Sequence, residues 1–182
     1  VNESFRNFAM VSKPGEPGRI RFGLTAIKNV GEHICEEIYR EQRDQGKFSD
    51  LEDFLRRVKD KDLNKKSLES LVQAGAFDSF GLDRGVLFSN SENLLAFARH
   101  SREEGVANQH SLFSGTTIDV GTKLSLKSAP DATLDDKLRW EKALLGVYLS
   151  SHPFAPFAKV LSNVLILASD LDGVGRDQWV IA

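Results

Sequence analysis

The hydrophobic positions of this chain change period several times, and each change marks an element. Phe8-Ala9-Met10-Val11 and Arg19-Ile20-Arg21-Phe22 are short strand-like runs on either side of Ser12-Lys13-Pro14-Gly15-Glu16-Pro17-Gly18. That stretch is dense in turn formers, so the pattern predicts a β-hairpin. From Phe22 to Gln42 the spacing becomes helical. Leu24 and Ile27 lie three apart and Ile34 and Ile38 four apart, which gives each of two helices one buried face. Asn29-Val30-Gly31 joins them with no room for a long loop, and Val30 is placed to plug the gap. Gly46 after Gln45 stops the second helix.

The unit then repeats. Ser49-Asp50 caps a helix whose face is Leu51, Phe54, Leu55 and Val58. Beyond the polar turn from Lys59 to Lys66, another helix carries Leu68, Leu71 and Val72 and closes at Gly75, with Ala76 and Phe77 folding back. A longer helix from about Arg84 to Glu104 presents Val86 or Leu87, Asn90, Leu94, Phe97 and Ala98. Over 106–133 periodicity gives way to Ser, Thr, Gly, Asp and Asn, the composition of a mobile linker. Asp135-Asp136 starts a helix through Leu138, Glu141, Leu144, Leu145 and Tyr148. Ser150-Ser151-His152-Pro153 stops it, because the residue before Pro is pushed out of the helical region. A last amphipathic helix carries Phe157, Val160, Leu161 and Val164. The expected fold is mainly α, with a short N-terminal β-hairpin, a tandem helix-hairpin-helix unit over 23–105 and further helices over 134–170.

Composition narrows the classes. The 182 residues are 41% hydrophobic and 27% charged, ordinary for a globular protein with a real core. A formal net charge of −2 excludes a uniformly basic nucleic-acid binder, so any such contact comes from a local patch. The single cysteine, Cys35, excludes a disulfide framework, fits a reducing cytoplasm and reads as a small buried hydrophobe. No apolar run reaches membrane-spanning length and no signal peptide is evident, so no membrane partner is expected. Val1 at one end and Trp179-Val180-Ile181-Ala182 at the other read as cuts through a longer polypeptide.

A helix hairpin aims backbone N–H groups, backed by a helix N-terminus, at a phosphate. In the first hairpin the candidates are Lys28, Asn29, Val30 and Gly31, although Glu32 repels a phosphate there, which suits a chiefly structural role. The second hairpin carries more charge. From Arg56 to Lys66 there are six Lys or Arg against two Asp, a local balance of +4. Lys61, Asn64, Lys65, Lys66 and Ser67 are its candidates, with Lys65, Lys66 and the N–H groups entering the helix foremost. Gln109-His110-Ser111-Leu112-Phe113 sets two large apolar residues beside a Gln in the expected linker, a pattern suited to a partner's hydrophobic pocket. No catalytic residue and no metal site emerge. Asp60-Lys61-Asp62 and Asp170-Leu171-Asp172 lack a third carboxylate, and His33, His100, His110 and His152 are scattered without ligand spacing.

Taken in order, these pieces resemble the C-family bacterial replicative DNA polymerases, the polymerase III α-subunit family. Val1-Asn2-Glu3-Ser4 and Ile20-Arg21-Phe22-Gly23-Leu24 look like the run leading out of its fingers region, which assigns 1–22 to the end of that region. Ala26-Ile27-Lys28-Asn29-Val30-Gly31-Glu32 is similar to the first hairpin, with Asn29 where the family usually has Gly. Asn64-Lys65-Lys66, Leu68-Glu69 and Ala74-Gly75-Ala76-Phe77-Asp78 look like the second hairpin and its following helix. Gln109 to Phe113 falls where the family carries a Gln-x-x-Leu-Phe clamp-binding motif. Glu141-Lys142-Ala143-Leu144-Leu145-Gly146-Val147-Tyr148-Leu149-Ser150-Ser151-His152-Pro153 resembles the segment before the oligonucleotide-binding (OB) domain, whose truncated start would occupy 171–182.

The resemblance implies a parent DNA-directed DNA polymerase using Mg²⁺ held by palm aspartates. This chain would then be an inactive, cofactor-free part that holds duplex DNA. It also implies that Gln109, Ser111, Leu112 and Phe113 tether the parent to the sliding clamp (the β subunit), with other replisome subunits as partners of the parent. The alternative is a helix-hairpin-helix module of a repair or recombination protein without a clamp partner, or a helical scaffold that binds no DNA.

Overall fold

The computed structural model describes residues 1–12, 15, 18–59, 61, 63–110 and 123–161, with backbone alone over 103–110 and 159–161. Strands β1 (Ala9–Val11) and β2 (Arg19–Arg21) pair antiparallel with Met10 opposite Ile20. Just beyond the ladder the Phe8 and Phe22 rings meet with centroids 4.8 Å apart. The chain then crosses its own N-terminal segment: the Leu24 N–H donates to the Phe5 carbonyl at 3.0 Å and the Thr25 N–H to the Arg6 carbonyl at 3.1 Å. Gly23 makes this approach feasible, since a Cβ there would lie 2.3 Å from the backbone of Asn7.

That crossing explains the first departure from the hydrophobic pattern. Leu24–Ala26 is a single 3₁₀ turn rather than a helix. Its leading N–H groups are directed to Phe5 and Arg6, and Asn29 follows with φ +67, a left-handed conformation that ends any helical run. Helix α1 (Glu32–Gln45) then buries Ile34, Cys35 and Ile38 and stops at Gly46, with φ +82. Helix α2 (Leu51–Arg57) is capped by Asp50, whose side chain accepts the Asp53 N–H at 2.8 Å. Helix α3 (Lys65–Gln73) buries Leu68, Leu71 and Val72.

The long helix expected over 84–104 is two helices, α4 (Arg84–Ser89) and α5 (Ser91–His110). Asn90 divides them. Its amide donates to the Val86 and Lys127 carbonyls at 2.8 and 2.9 Å and its oxygen accepts the Lys127 N–H at 2.8 Å. An Asn side chain that bonds backbone competes with the helix it sits in. The expected linker also divides. Helix α5 continues to His110, so 106–110 is helical, while 111–122, with Ser111, Leu112 and Phe113, lies outside the described residues. From 123 to 133 the chain is pinned rather than mobile: the Leu124 N–H donates to Glu52 at 3.0 Å and the Ala132 N–H to Asp83 at 2.7 Å. Leu124 and Leu126 pack against the core between exposed Lys123, Ser125 and Lys127, a period of two over a very short run.

Helix α6 (Leu134–Leu145) opens with a capping box of Thr133 and Asp136 and ends at Gly146, φ +78. Tyr148 therefore lies beyond the helix, whose stop is this left-handed glycine rather than the downstream Pro153. Helix α7 (Ala155–Leu161) follows. The remainder, with Val164, Asp170, Asp172 and the expected start of an OB domain, lies outside the described residues. One core joins α1 to α5, and through it runs an aromatic file: Phe48, Phe54, Phe77 and Phe80, with successive centroids 5.1, 4.9 and 6.1 Å apart. Phe54 is fully buried, so truncation to Ala should cost about 3–5 kcal/mol.

Candidate nucleic-acid interface

The first hairpin presents a helix start that no side chain closes. Gly31 is the N-cap of α1 and has no side-chain cap bond, and a Cβ built there meets nothing within 4 Å. Val30 is buried and its N–H returns to the Ile27 carbonyl at 3.2 Å, which tightens the turn. Asn29 bends the chain and its side-chain amide donates to Ser70 Oγ on α3 at 3.2 Å. Lys28 is exposed, and its backbone N–H donates to the Leu144 carbonyl of α6 at 3.0 Å. The acidic neighbour has an answer that sequence reasoning missed: Arg6 pairs with Glu32 at 3.4 Å and Glu36 at 2.5 Å. The crossing of 5–7 over Gly23 brings it there, and no local pattern reveals a contact over 26 residues.

The second hairpin is built in the opposite sense. Asn64 caps α3 by accepting the Ser67 N–H at 3.0 Å, and the Ser67 hydroxyl receives the Asn64 N–H at 2.9 Å. Of the N–H groups entering the helix, those of Asn64 and Ser67 are therefore already satisfied, and Ser67 is 1% exposed, which removes its side chain from the contact set. Much of the local positive charge is also committed. Arg57 pairs with Glu41 and Asp53, donates to the Glu41 and Gly46 carbonyls and lies 4.3 Å over the Phe48 ring. Arg56 pairs with Glu52 at 3.0 Å and lies over Phe97. Lys65 donates to Glu92 at 2.7 Å, and that hydrogen bond raises its pKa. Lys59, Lys61 and Lys66 are exposed, and among the described residues no ion pair holds them.

A family model described as a helix-hairpin-helix motif matches residues 1–87. The chain is 34% identical over 165 residues to the DNA polymerase III subunit alpha of Borreliella burgdorferi, covering 90% of this chain and 14% of that protein. The same-named protein of Campylobacter jejuni is 34% identical with the same coverage, and that of Thermus aquaticus is 41% identical over 84% of this chain and 12% of its own length. This chain fits a segment of the DNA polymerase III α-subunit family. It spans about one-seventh of the length of these relatives, the helix-hairpin-helix match lying in its first half.

Within this chain the turn after α3 and the run after Glu141 meet at one clasp. Arg84 is buried and donates to Asp78 at 2.6 Å, to Glu141 at 3.0 Å and to the Gln73 carbonyl at 3.2 Å. Glu141 is 0% exposed, yet it also accepts the Leu149 N–H at 2.7 Å, the Ser150 N–H at 2.9 Å and the Ser150 hydroxyl. Burial pushes its pKa up, but the bonds from Ser150, Leu149 and Arg84 outweigh that and hold the carboxyl below its usual range. Gly75 leaves room for the clasp: at φ +79, a Cβ would lie 2.3 Å from an Arg84 guanidinium nitrogen. The sequence places Glu141 on the helix among Leu138, Leu144 and Leu145, and its long-range partners show that it is a buried carboxylate.

Of the Gln-x-x-Leu-Phe motif, Gln109 lies in the last turn of α5, and Ser111, Leu112 and Phe113 lie outside the described residues. Asp60, Asp62, Asp170 and Asp172 are outside them as well. Among the described residues no three His, Cys, Asp or Glu side chains converge to hold a metal. Cys35 is buried, and desolvation pushes its thiol up to about 11, far from a reactive thiolate. Among the described residues no helix is long and apolar enough to cross a membrane.

Proposed function

We propose that this chain is the duplex-gripping part of a replicative DNA polymerase, binding DNA without sequence preference behind a catalytic centre carried elsewhere in the parent. The carrying observation is the open N-terminus of α1 at Gly31, displayed beside Lys28 in a chain related to polymerase α subunits. Backbone N–H groups at such a start suit a phosphate oxygen. The first hairpin supplies this backbone contact, and Lys61 and Lys66 of the second supply long-range attraction. Non-specific affinity should then lie at ~10⁻⁴ to 10⁻⁶ M and fall steeply with salt. Fluorescence anisotropy with two duplexes of unrelated sequence tests this: equal, salt-sensitive binding supports it, and no binding at low salt overturns it.

The parent would add deoxynucleotides to a primer with Mg²⁺, and this chain by itself should extend no primer. Gln109, Ser111, Leu112 and Phe113 would tether the parent to the sliding clamp, with Leu112 and Phe113 filling an apolar cleft on it. A contact of five residues gives micromolar-class affinity, and avidity arises when DNA and clamp act together. Calorimetry against the cognate clamp tests it: changing Leu112 and Phe113 together to Ala should abolish binding, and unchanged affinity would refute the assignment. The repair-module alternative is disfavoured because similarity to polymerase α subunits runs through 90% of the chain, well past the two hairpins.

A further inference from the structure

Helix C-termini leave carbonyls without intrahelical donors. In α6 one of them, Leu144 C=O, takes the Lys28 N–H of the first hairpin at 3.0 Å. The next residue, Asn29, reaches Ser70 on α3. The hairpin tip is thus suspended between α3 and the end of α6. Besides the packing of Leu138, Trp140 and Leu145, polar side chains hold helix α6 at two separate places. Its start is held through Asp83, which accepts from Lys137 at 2.8 Å and from the Ala132 N–H at 2.7 Å. Its end is held through Glu141, gripped by Arg84 and by the turn at Leu149 and Ser150.

We infer that Glu141 and Arg84 are positioning residues for the first hairpin. They fix the final turn of α6 and, through the Leu144–Lys28 bond, the angle at which Asn29-Val30-Gly31 presents the start of α1. Among the described residues neither side chain bonds to the hairpin, so the effect reaches it through the elements they hold: the end of α6, and for Arg84 also the end of α3 through the Gln73 carbonyl. The consequence for DNA rests on the function proposed above; the mechanical coupling does not.

Amide hydrogen exchange in the 182-residue chain separates the two. In Glu141→Gln the amides of Leu149 and Ser150 lose protection directly. The Lys28 amide should lose it with them, by roughly tenfold or more, while Leu68 and Ala74 around α3 keep theirs as reporters of an intact fold. In Asp83→Asn, which removes the Lys137 ion pair at the start of α6 while its amide oxygen can still cap α4 at the Gly85 N–H, Lys28 should stay protected. Duplex affinity should fall in Glu141→Gln and hold in Asp83→Asn. Retained Lys28 protection, with Leu149 and Ser150 already exposed, overturns the coupling. If Glu141→Gln unfolds the chain, Ser150→Ala removes a single hydroxyl donor to Glu141 and is read by the same amides. A wild-type chain that ignores the duplex refutes the DNA reading alone, and the Lys28 amide still decides the coupling.

Discussion

The two hairpins solve one problem with opposite means. The first offers an open helix start with little net charge: a glycine cap, a left-handed Asn29, and Lys28 and Arg6 set against Glu32 and Glu36, with Arg6 pairing with both. The second offers charge over a closed start, because Asn64 and Ser67 consume each other's bonding groups. Charge density in the sequence points to the second hairpin as the principal contact. The function proposed above instead divides the task, with the backbone contact at Gly31 and the electrostatic attraction at Lys61 and Lys66. A basic run is a count of formal charges, and the count says nothing about how many are already paired.

The largest effect should come from closing the first hairpin. Gly31→Asp adds a capping carboxylate where a side chain has open space, so stability should hold or rise by a few tenths of a kcal/mol. Duplex affinity should nonetheless fall about tenfold or more, since a fixed anion then stands where the phosphate would sit. Anisotropy beside a thermal melt reads both, and a variant that binds as well as wild type removes the first hairpin from the interface. The complementary change, Asn64→Ala, breaks the capping box and should cost about 1 kcal/mol of stability while leaving duplex affinity nearly unchanged.

Acid should act next. Glu141 and Asp83 are both held below their ordinary values of 4.5 and 3.8, in each case by bonds that outweigh desolvation. Their stabilisation is complete above those values and is lost as pH falls through the depressed ones. Melting followed by circular dichroism should therefore be level down to about pH 5 and decline below it, with Glu141→Gln flattening the decline. The smallest effects belong to the lysines. Lys66→Ala should weaken binding equally on all sequences and lower the salt slope by about 1. Lys65→Ala should do less, because Glu92 already offsets that charge, and Glu92→Gln should strengthen binding by releasing it.

Much of this was legible in the residues. The β-hairpin, helices α1 to α3 and their buried faces follow from spacing, and Asp50 announces its cap through local chemistry. What escaped is what distance in sequence conceals. Leu24–Ala26 is a 3₁₀ turn because residues 5–7 cross over it, and Asn90 breaks a helix because Lys127 awaits it. Segment 123–133 reads as polar linker because two leucines are too few to register as a strand-like alternation. The clasp at Glu141 is silent for the same reason, since Arg84 lies 57 residues away. At the hairpins, residue types located the turns, but whether each helix start was open or capped depended on side-chain geometry.

The division between the hairpins is tested most directly by the salt dependence of duplex affinity in three proteins: wild type, Gly31→Asn and Lys66→Ala. Asn at the cap closes the helix start without adding charge, so its line of log K against log salt should drop below wild type and run parallel to it. Lys66→Ala should give a shallower line, its slope smaller by about 1 for one lost phosphate contact. A Gly31→Asn line that lies on the wild-type line, or a Lys66→Ala line that keeps the wild-type slope, would contradict the division.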